Sequence, residues 1–161
     1  MTLAYVGLGS NLDQPAEQIA KALAGLACLP MTHLLRRSSL YRSPPWGYAD
    51  QPDFINAVAE IDTLLNPTDL LAELLTLEKH LGRLRDGPRW GPRRIDLDLL
   101  VHGDQPLASD TLQVPHPRIA ERAFVLMPLI ELVPDFELAG MGCASQLLER
   151  IASSDCTRIA D

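Results

Sequence analysis

Two aspartates on one predicted strand are the residues of this chain best suited to chemistry. The segment RLRDGPRWGPRRIDLDLL runs from Arg83 to Leu100, and in it Asp96 and Asp98 alternate with apolar residues. Side chains alternate between the two faces of a strand, so both carboxylates should face the same way, about 6–7 Å apart. At that distance two bare carboxylates repel by roughly 2 kcal/mol at an effective dielectric constant near 20. The pair therefore predicts a site for divalent cations.

The loop before this strand concentrates positive charge in a chain whose formal net charge is −7. It holds five of the 14 basic residues, namely Arg83, Arg85, Arg89, Arg93 and Arg94. Guanidinium groups bind phosphate oxygens in a bidentate manner, so these arginines beside cations predict a polyphosphate substrate and phosphoryl-type transfer. The alternative is a surface cluster of ion pairs, which contributes little to stability. Trp90, between Pro88 and Pro92, favours a ligand that covers the indole.

Hydrophobic periodicity predicts the elements that position these residues. Helices are expected over Pro15–Leu29, with Asp13 as a plausible cap, and from Asn66 to Gly82, and strands over Thr2–Leu8, Leu34–Arg42, Phe54–Leu64 and Ile95–Val101. In the last strand Ile95, Leu97, Leu99 and Val101 should face one core. Beyond Pro134 only Gln146–Ile151 has a helical pattern, and the final residues are expected to fray. The order β-α-β-β-α-β predicts an α+β fold, a ferredoxin-like antiparallel-rich sheet with helices on its faces in three α/β/α layers.

Length, composition and charge limit the class of protein. The 161 residues fit a single domain over positions 1–161, and no apolar run is long enough to cross a membrane. The first residues show no secretory signal, and Cys28, Cys143 and Cys156 have no paired spacing, which favours reduced thiols in the cytoplasm. An acidic chain with locally concentrated positive charge favours a small anionic ligand over nucleic acid.

Three other motifs indicate less about function. Gly7-Leu8-Gly9 lacks the third glycine of a dinucleotide-binding turn and is interpreted as a tight turn. His116 lies between two prolines and near Arg122, which fits a phosphate contact or a structural hydrogen bond about equally well. The proline-rich segment Ser43–Asp53 predicts a loop that covers a ligand.

Phe54 and Asn56 lie two residues apart on a predicted strand. They therefore share a face and can meet one planar ligand, the ring face-on and the amide edge-on. Ordinary sheet packing, with Asn56 at a polar rim, is the alternative.

Five motifs in series resemble the 6-hydroxymethyl-7,8-dihydropterin pyrophosphokinase family. They are GLGSN, SPPWG, QPDFINA, GRLRDGPRWGPRRIDLDLL and VPHPRIAERAFVLMPL, and the match runs from Thr2 to about Pro134. The resemblance implies transfer of pyrophosphate from ATP to the hydroxymethyl group of a reduced pterin, with release of AMP. It also implies a monomer of ferredoxin-related fold that binds ATP first and closes loops over it.

The same resemblance implies a role for each matching residue. Asp96 and Asp98 would hold two Mg²⁺ ions on the triphosphate, and Arg83 and Arg93 would grip the phosphates and support transfer. The implied ATP contacts are Arg85, Arg89, Trp90, His116 and Arg122. The implied pterin contacts are Ser43, Pro44, Trp46, Phe54, Asn56 and Phe124, with the two phenylalanines sandwiching the ring and Asn56 reading its edge.

Two other function classes remain open on the residues alone. One is a Mg²⁺-dependent kinase that transfers a single phosphoryl group and releases ADP. The other is a non-catalytic small-molecule-binding domain of ferredoxin-like fold, in which the aspartates are rim charges.

Overall fold

The structure, a computed structural model, describes residues 1–45, 50–82 and 94–159. Within these ranges the chain forms an antiparallel sheet with helices on both faces, which confirms the predicted α+β class. No helix within these ranges is both long and apolar enough to cross a membrane.

Three long strands form the centre of the sheet. Strand β1 (Thr2–Ser10) lies between β4 (Phe54–Thr63) and β5 (Asp96–His102), and both pairings are antiparallel. The other edge of β4 pairs first with β3 (Leu40–Ser43) and then with β2 (Thr32–Arg37). Strand β5 is therefore an edge strand of this sheet within the described part of the chain.

The single strand predicted over Leu34–Arg42 is wrong, because the chain breaks at Ser38 and Ser39 into β2 and β3. At the break the Ser38 Oγ accepts a hydrogen bond from the Val58 main-chain N–H at 2.9 Å. The Ser39 main-chain N–H and hydroxyl both donate to Glu131, at 2.9 and 3.2 Å. Side-chain hydrogen bonds thus supplement the main-chain bond from the Ser38 N–H to the Val58 carbonyl, and hydrophobic periodicity does not indicate them.

The expectation that the final residues fray is also wrong for the described ones among them, up to Ile159. Thr157–Ile159 form a strand, β10, that pairs antiparallel with β3 and extends the sheet. The preceding residue, Cys156, is only 6 % exposed. Three residues are too few for a period-two pattern to be recognised in the sequence, so only the pairing partner reveals this strand.

The helices form two layers around the sheet. Helices α1 (Pro15–Ala27) and α2 (Pro67–His80) cover one face, and α3 (Ala123–Leu132) and α4 (Ala144–Glu149) cover the other. Two short hairpins, β6 (Leu107–Ala108) with β7 (Gln113–Val114) and β8 (Glu137–Leu138) with β9 (Gly142–Cys143), and a short 3-10 helix (Ile119–Glu121) complete the described elements.

The start of α2 follows the prediction, whereas the start of α1 does not. The Asn66 side chain accepts a hydrogen bond from the Asp69 main-chain N–H at 2.8 Å and caps α2. In α1 the capping position is Gln14, which makes no side-chain cap, and Asp13 pairs instead with Arg94. Leu70 and Leu74 of α2 are fully buried, and each such side chain contributes about 1.5–3 kcal/mol to folding.

Strand β5 alternates as predicted until its last residues. Leu97 and Leu99 pack into the core on the α1 and α2 side, whereas Asp96 and Asp98 face the other way. Val101 was expected beside Leu99, and this is wrong, because it lies in the core on the α3 and α4 side. Val101 pairs with Tyr5, and the next pair along the two strands is Leu99 with Val6. Leu100 is therefore an extra residue on β5. This bulge reverses the direction of the side chains that follow it.

Candidate active site

A glycine trough lies at the centre of the sheet face that carries the two aspartates. Gly9 of β1 lies between Asn56 of β4 and Asp96 of β5, and two residues earlier Gly7 faces Asp98. A Cβ at Gly9 would lie 3.2 Å from the Asn56 Oδ1 atom. These glycines are strand residues rather than the tight turn inferred from the sequence, and their missing side chains leave room for a ligand.

The trough forms the floor of a pocket, here called the sheet pocket, with about 680 Å³ of space between protein atoms, part of it open to solvent. Five of the six residues implied for pterin binding line it together with both aspartates: Ser43, Pro44, Phe54, Asn56 and Phe124. The tertiary structure therefore brings residues of all five family motifs to one concave surface.

The amide of Asn56 is oriented by its neighbour on β3. Asn56 is 5 % exposed, and its Nδ2 donates a hydrogen bond to the Ser43 Oγ at 2.8 Å. Phe54 and Asn56 face the same pocket, as their spacing predicted, whereas Ile55 points into the opposite core. Sheet packing alone is thus the weaker interpretation of this pair, because both side chains border an open cavity.

A second cavity, here called the edge pocket, lies beyond the outer edge of β5. It is lined by α2 and by the segment around the β6–β7 hairpin, including Leu71, Ser109, Gln113 and His116. Asp96 and Asp98 line this pocket as well as the sheet pocket. The two carboxylates therefore stand at the boundary between two adjoining binding spaces.

Arg122 lies on the sheet-pocket side of that boundary. Its Nη1 atom is 3.7 Å from the Asp98 Oδ2 atom, and its guanidinium carbon is 5.6 Å from the centre of the Phe124 ring. The Arg122 side chain is only 10 % exposed, so water screens this charge less than a surface pair. The arrangement connects an implied ATP contact, Arg122, to an implied pterin contact, Phe124.

His116 is held as a neutral imidazole in the edge pocket. Its main-chain N–H donates to the Leu100 carbonyl at 2.8 Å, and its Nδ1 accepts from the Arg118 main-chain N–H at 3.2 Å. Burial, followed by the positive charge of Arg122, lowers the pKa of His116 to about 4, and Asp96 partly opposes this shift. With Nδ1 as an acceptor, the proton of the neutral ring lies on Nε2, which makes His116 an uncharged donor.

A buried glutamate supports the aspartate strand from below, and no sequence motif had indicated it. Glu78 of α2 is 1 % exposed, and its Oε2 accepts a hydrogen bond from the Leu97 main-chain N–H at 2.8 Å. Leu97 lies between Asp96 and Asp98, so this bond holds the edge strand where the two carboxylates emerge. An amphipathic helix pattern treats Glu78 as a solvated residue, and only the packing of α2 under β5 shows its use.

The residues after Gly9 tether two neighbouring segments. Ser10 is fully buried, and its hydroxyl donates to the Arg94 main-chain carbonyl. The Asn11 amide donates to the Gln51 side chain at 2.8 Å and to the Pro52 carbonyl at 2.9 Å. The GLGSN motif thus supplies the floor of the sheet pocket and two adjacent anchors, a role that its local sequence pattern does not indicate.

Several predicted site residues lie outside the described ranges: Trp46, Arg83, Arg85, Arg89, Trp90 and Arg93. The described member of the arginine loop, Arg94, forms an exposed ion pair with Asp13 at 2.7 Å. For Arg94, then, the surface ion-pair interpretation of the loop is the one that applies.

The donor set at the boundary fits Mg²⁺ bound together with a polyphosphate. Among the described residues no group of three metal-ligating side chains occurs. Mg²⁺ commonly takes one or two protein carboxylates and completes its octahedron with substrate phosphates and water. Asp96 and Asp98 supply two such carboxylates, both half-buried and both open to two pockets.

Comparison with known proteins identifies one family. Residues 5–134 match the model of the 7,8-dihydro-6-hydroxymethylpterin-pyrophosphokinase (HPPK) family. A 2-amino-4-hydroxy-6-hydroxymethyldihydropteridine pyrophosphokinase from Haemophilus influenzae is 43 % identical over 152 residues, covering 94 % of each chain. The protein of the same name from Pseudomonas aeruginosa is 53 % identical over 134 residues, covering 83 % of this chain and 82 % of its own.

Solved structures show the same fold. A mutant HPPK-DHPS from Plasmodium falciparum, crystallised with pterin and p-hydroxybenzoate, superposes with a TM-score of 0.78 at 13 % identity. The match covers 99 % of this chain and 48 % of that one, so this chain spans about half the length of that protein.

Proposed function

This chain belongs to the 7,8-dihydro-6-hydroxymethylpterin-pyrophosphokinase family, and we propose that its two adjoining pockets hold the two substrates of the family's reaction. The enzyme transfers pyrophosphate from ATP to the hydroxymethyl group of 6-hydroxymethyl-7,8-dihydropterin in folate biosynthesis. The products are AMP and the pterin diphosphate. The sheet pocket takes the pterin, and the edge pocket takes the nucleotide.

One observation carries this proposal. Asp96 and Asp98 line both pockets, so a triphosphate in the edge pocket and a hydroxymethyl group in the sheet pocket meet at the same two carboxylates. Phosphoryl-type transfer depends mainly on alignment of the nucleophile with the phosphorus and on stabilisation of charge. With the two substrates on opposite sides of this boundary, the hydroxymethyl oxygen is aligned with the triphosphate.

The chain's own residues divide the remaining work. Phe54 and Phe124 offer ring faces to the flat pterin, and Asn56, oriented by Ser43, offers an amide to its edge. His116 donates an uncharged N–H towards the nucleotide. Arg122 contributes a poorly hydrated cation beside Asp98, where negative charge moves during transfer.

Asp96 and Asp98 would hold Mg²⁺, which when bound neutralises phosphate charge and polarises the reacting oxygens. The two-ion stoichiometry remains a prediction. The same applies to phosphate binding by Arg83 and Arg93, to further contacts by Arg85, Arg89, Trp90 and Trp46, and to a single-domain cytoplasmic monomer.

Product analysis tests the proposal directly. The protein is mixed with ATP, Mg²⁺ and 6-hydroxymethyl-7,8-dihydropterin, and nucleotides are separated by chromatography. AMP that appears in step with the pterin diphosphate is the expected result. ADP would contradict pyrophosphate transfer and favour a kinase that moves one phosphoryl group. Binding of both ligands without any nucleotide product would favour a non-catalytic binding domain.

A further inference from the structure

We propose that the C-terminal segment Cys156–Ile159 is a positioning element for the pterin-binding side of the site. It acts on two residues that line the sheet pocket, Phe124 and Asn56, without lining the pocket itself. The proposal rests on the function proposed above, because it assumes that the sheet pocket takes the pterin. The resemblance to the family extends only to about Pro134, so no motif indicated a role for this segment.

The first connection runs through a small apolar cluster. Cys156, Tyr41 and Ala123 are 6 %, 4 % and 9 % exposed and form a core cluster separate from the two larger ones. The Phe124 ring packs against this cluster and also lines the sheet pocket. The Cys156 side chain is therefore part of the support on which the pocket's aromatic wall rests.

The second connection runs through the sheet. Arg158 pairs with Tyr41 of β3, and on the other side of β3 Tyr41 pairs with Asn56 of β4. At the end of β3, Ser43 accepts the hydrogen bond that orients the Asn56 amide. Strand β10 thus braces the outer edge of the short strand that holds Asn56 in its orientation.

Glu131 of α3 links the two connections, because it binds Tyr41 of β3 to the helix that carries Phe124. The Tyr41 hydroxyl donates to the Glu131 Oε1 atom at 2.6 Å, so β3 is fastened to the same helix that carries Phe124. A shift of Cys156 would therefore reach both the aromatic wall and the amide of the sheet pocket.

The edge pocket is lined by other residues, and none of the described residues that line it belongs to the Cys156 cluster. This separation predicts that the segment affects pterin binding and not nucleotide binding.

The test compares the two affinities in Cys156→Ala, which removes one buried sulfur atom. Pterin binding is measured by calorimetry in the presence of Mg²⁺ and a non-hydrolysable ATP analogue, and analogue binding is measured separately. The Kd for pterin should rise about three- to tenfold, equivalent to one weakened contact, while the Kd for the analogue changes less than about twofold. Cys156→Val refills the space with an apolar side chain and should recover most of the lost affinity.

Two further variants make the result decisive. Cys28→Ala makes the same chemical change at an exposed cysteine and should leave both Kd values unchanged. Truncation after Cys156 removes β10 but keeps the cluster, and it should also weaken pterin binding selectively. If Cys156→Ala fails to fold, the truncated protein tests the positioning role instead.

Each other outcome has a definite meaning. An unchanged pterin Kd with a lower Tm, an equal rise in both Kd values, or no recovery in Cys156→Val would overturn the positioning role. Failure of the wild-type protein to bind pterin would instead overturn the proposed function on which this inference rests.

Discussion

Arg122 and Asp98 form an ion pair, 3.7 Å between Nη1 and Oδ2, at the boundary between the two pockets of this protein. The Asp98 carboxylate is one of the two expected to bind Mg²⁺. The Arg122 guanidinium places a positive charge next to it before any metal binds. Since Arg122 is largely buried and lies against the Phe124 ring, it has little freedom to move away. The pair therefore keeps Asp98 aimed at the boundary.

Replacing Arg122 by Lys should separate the charge from the shape of the guanidinium. Lysine keeps the positive charge but loses the planar group that contacts both Asp98 and the Phe124 ring. We expect kcat to fall about tenfold or more, which corresponds to about 1.4 kcal/mol of transition-state stabilisation. Steady-state kinetics checks this, with Arg150→Lys, at an exposed position on the end of α4, as the control. Wild-type kcat in Arg122→Lys would show that only the charge matters.

Asp98→Asn should abolish most turnover without unfolding the protein. The amide keeps the size of the side chain but binds Mg²⁺ poorly, so we expect kcat to fall by about 100-fold or more. The Kd for ATP measured with Mg²⁺ should rise, and the Kd measured with EDTA should not. Asp62→Asn, at the far end of β4, is the matched control and should leave both unchanged. If Mg²⁺ tightened ATP binding by Asp98→Asn as much as it tightens binding by the wild-type protein, the metal-binding role would be contradicted.

Gly9→Ala should weaken pterin binding selectively. The new Cβ would lie 3.2 Å from the Asn56 Oδ1 atom and 3.8 Å from the Phe54 ring, so the amide must shift. We expect the Kd for pterin to rise about tenfold and that for the ATP analogue to change little, as measured by calorimetry. Gly7→Ala is the comparison, since the atoms nearest to its Cβ would belong to the Leu100 side chain, at 3.4 Å or more. A larger loss of pterin affinity in Gly7→Ala would argue against a pterin at the Asn56 end.

His116 should make the folded state less stable in mild acid. The folded protein holds the His116 pKa near 4, below its ordinary value of 6.5, so between these values the unfolded chain binds more protons. The free energy of unfolding should therefore fall as the pH falls from about 6.5 to about 4. In His116→Gln this dependence should be smaller over the same range, as measured by urea unfolding in EDTA. The exposed His33→Gln variant should retain the wild-type dependence, and an identical dependence in His116→Gln would contradict a buried neutral imidazole.

The sequence by itself determined the features of the site that depend on local spacing. Alternation along one strand was enough to predict that Asp96 and Asp98 share a face, and the same rule predicted that Phe54 and Asn56 do. The cap at Asn66 and the buried stripe of α2 followed from neighbours within one turn of helix. The family motifs, which also lie within short stretches, indicated the reaction.

Only the tertiary structure decided what each of these local features meets. Register across β1 sets Gly9 between Asn56 and Asp96, and a bulge at Leu100 turns Val101 away from Leu99. The break at Ser38 and Ser39, the support of Leu97 by Glu78, and the pairing of β10 with β3 all depend on partners 19 to more than 100 residues away. Such contacts form because packing satisfies buried polar groups and unpaired strand edges wherever the fold brings them together, and no local periodicity contains that information.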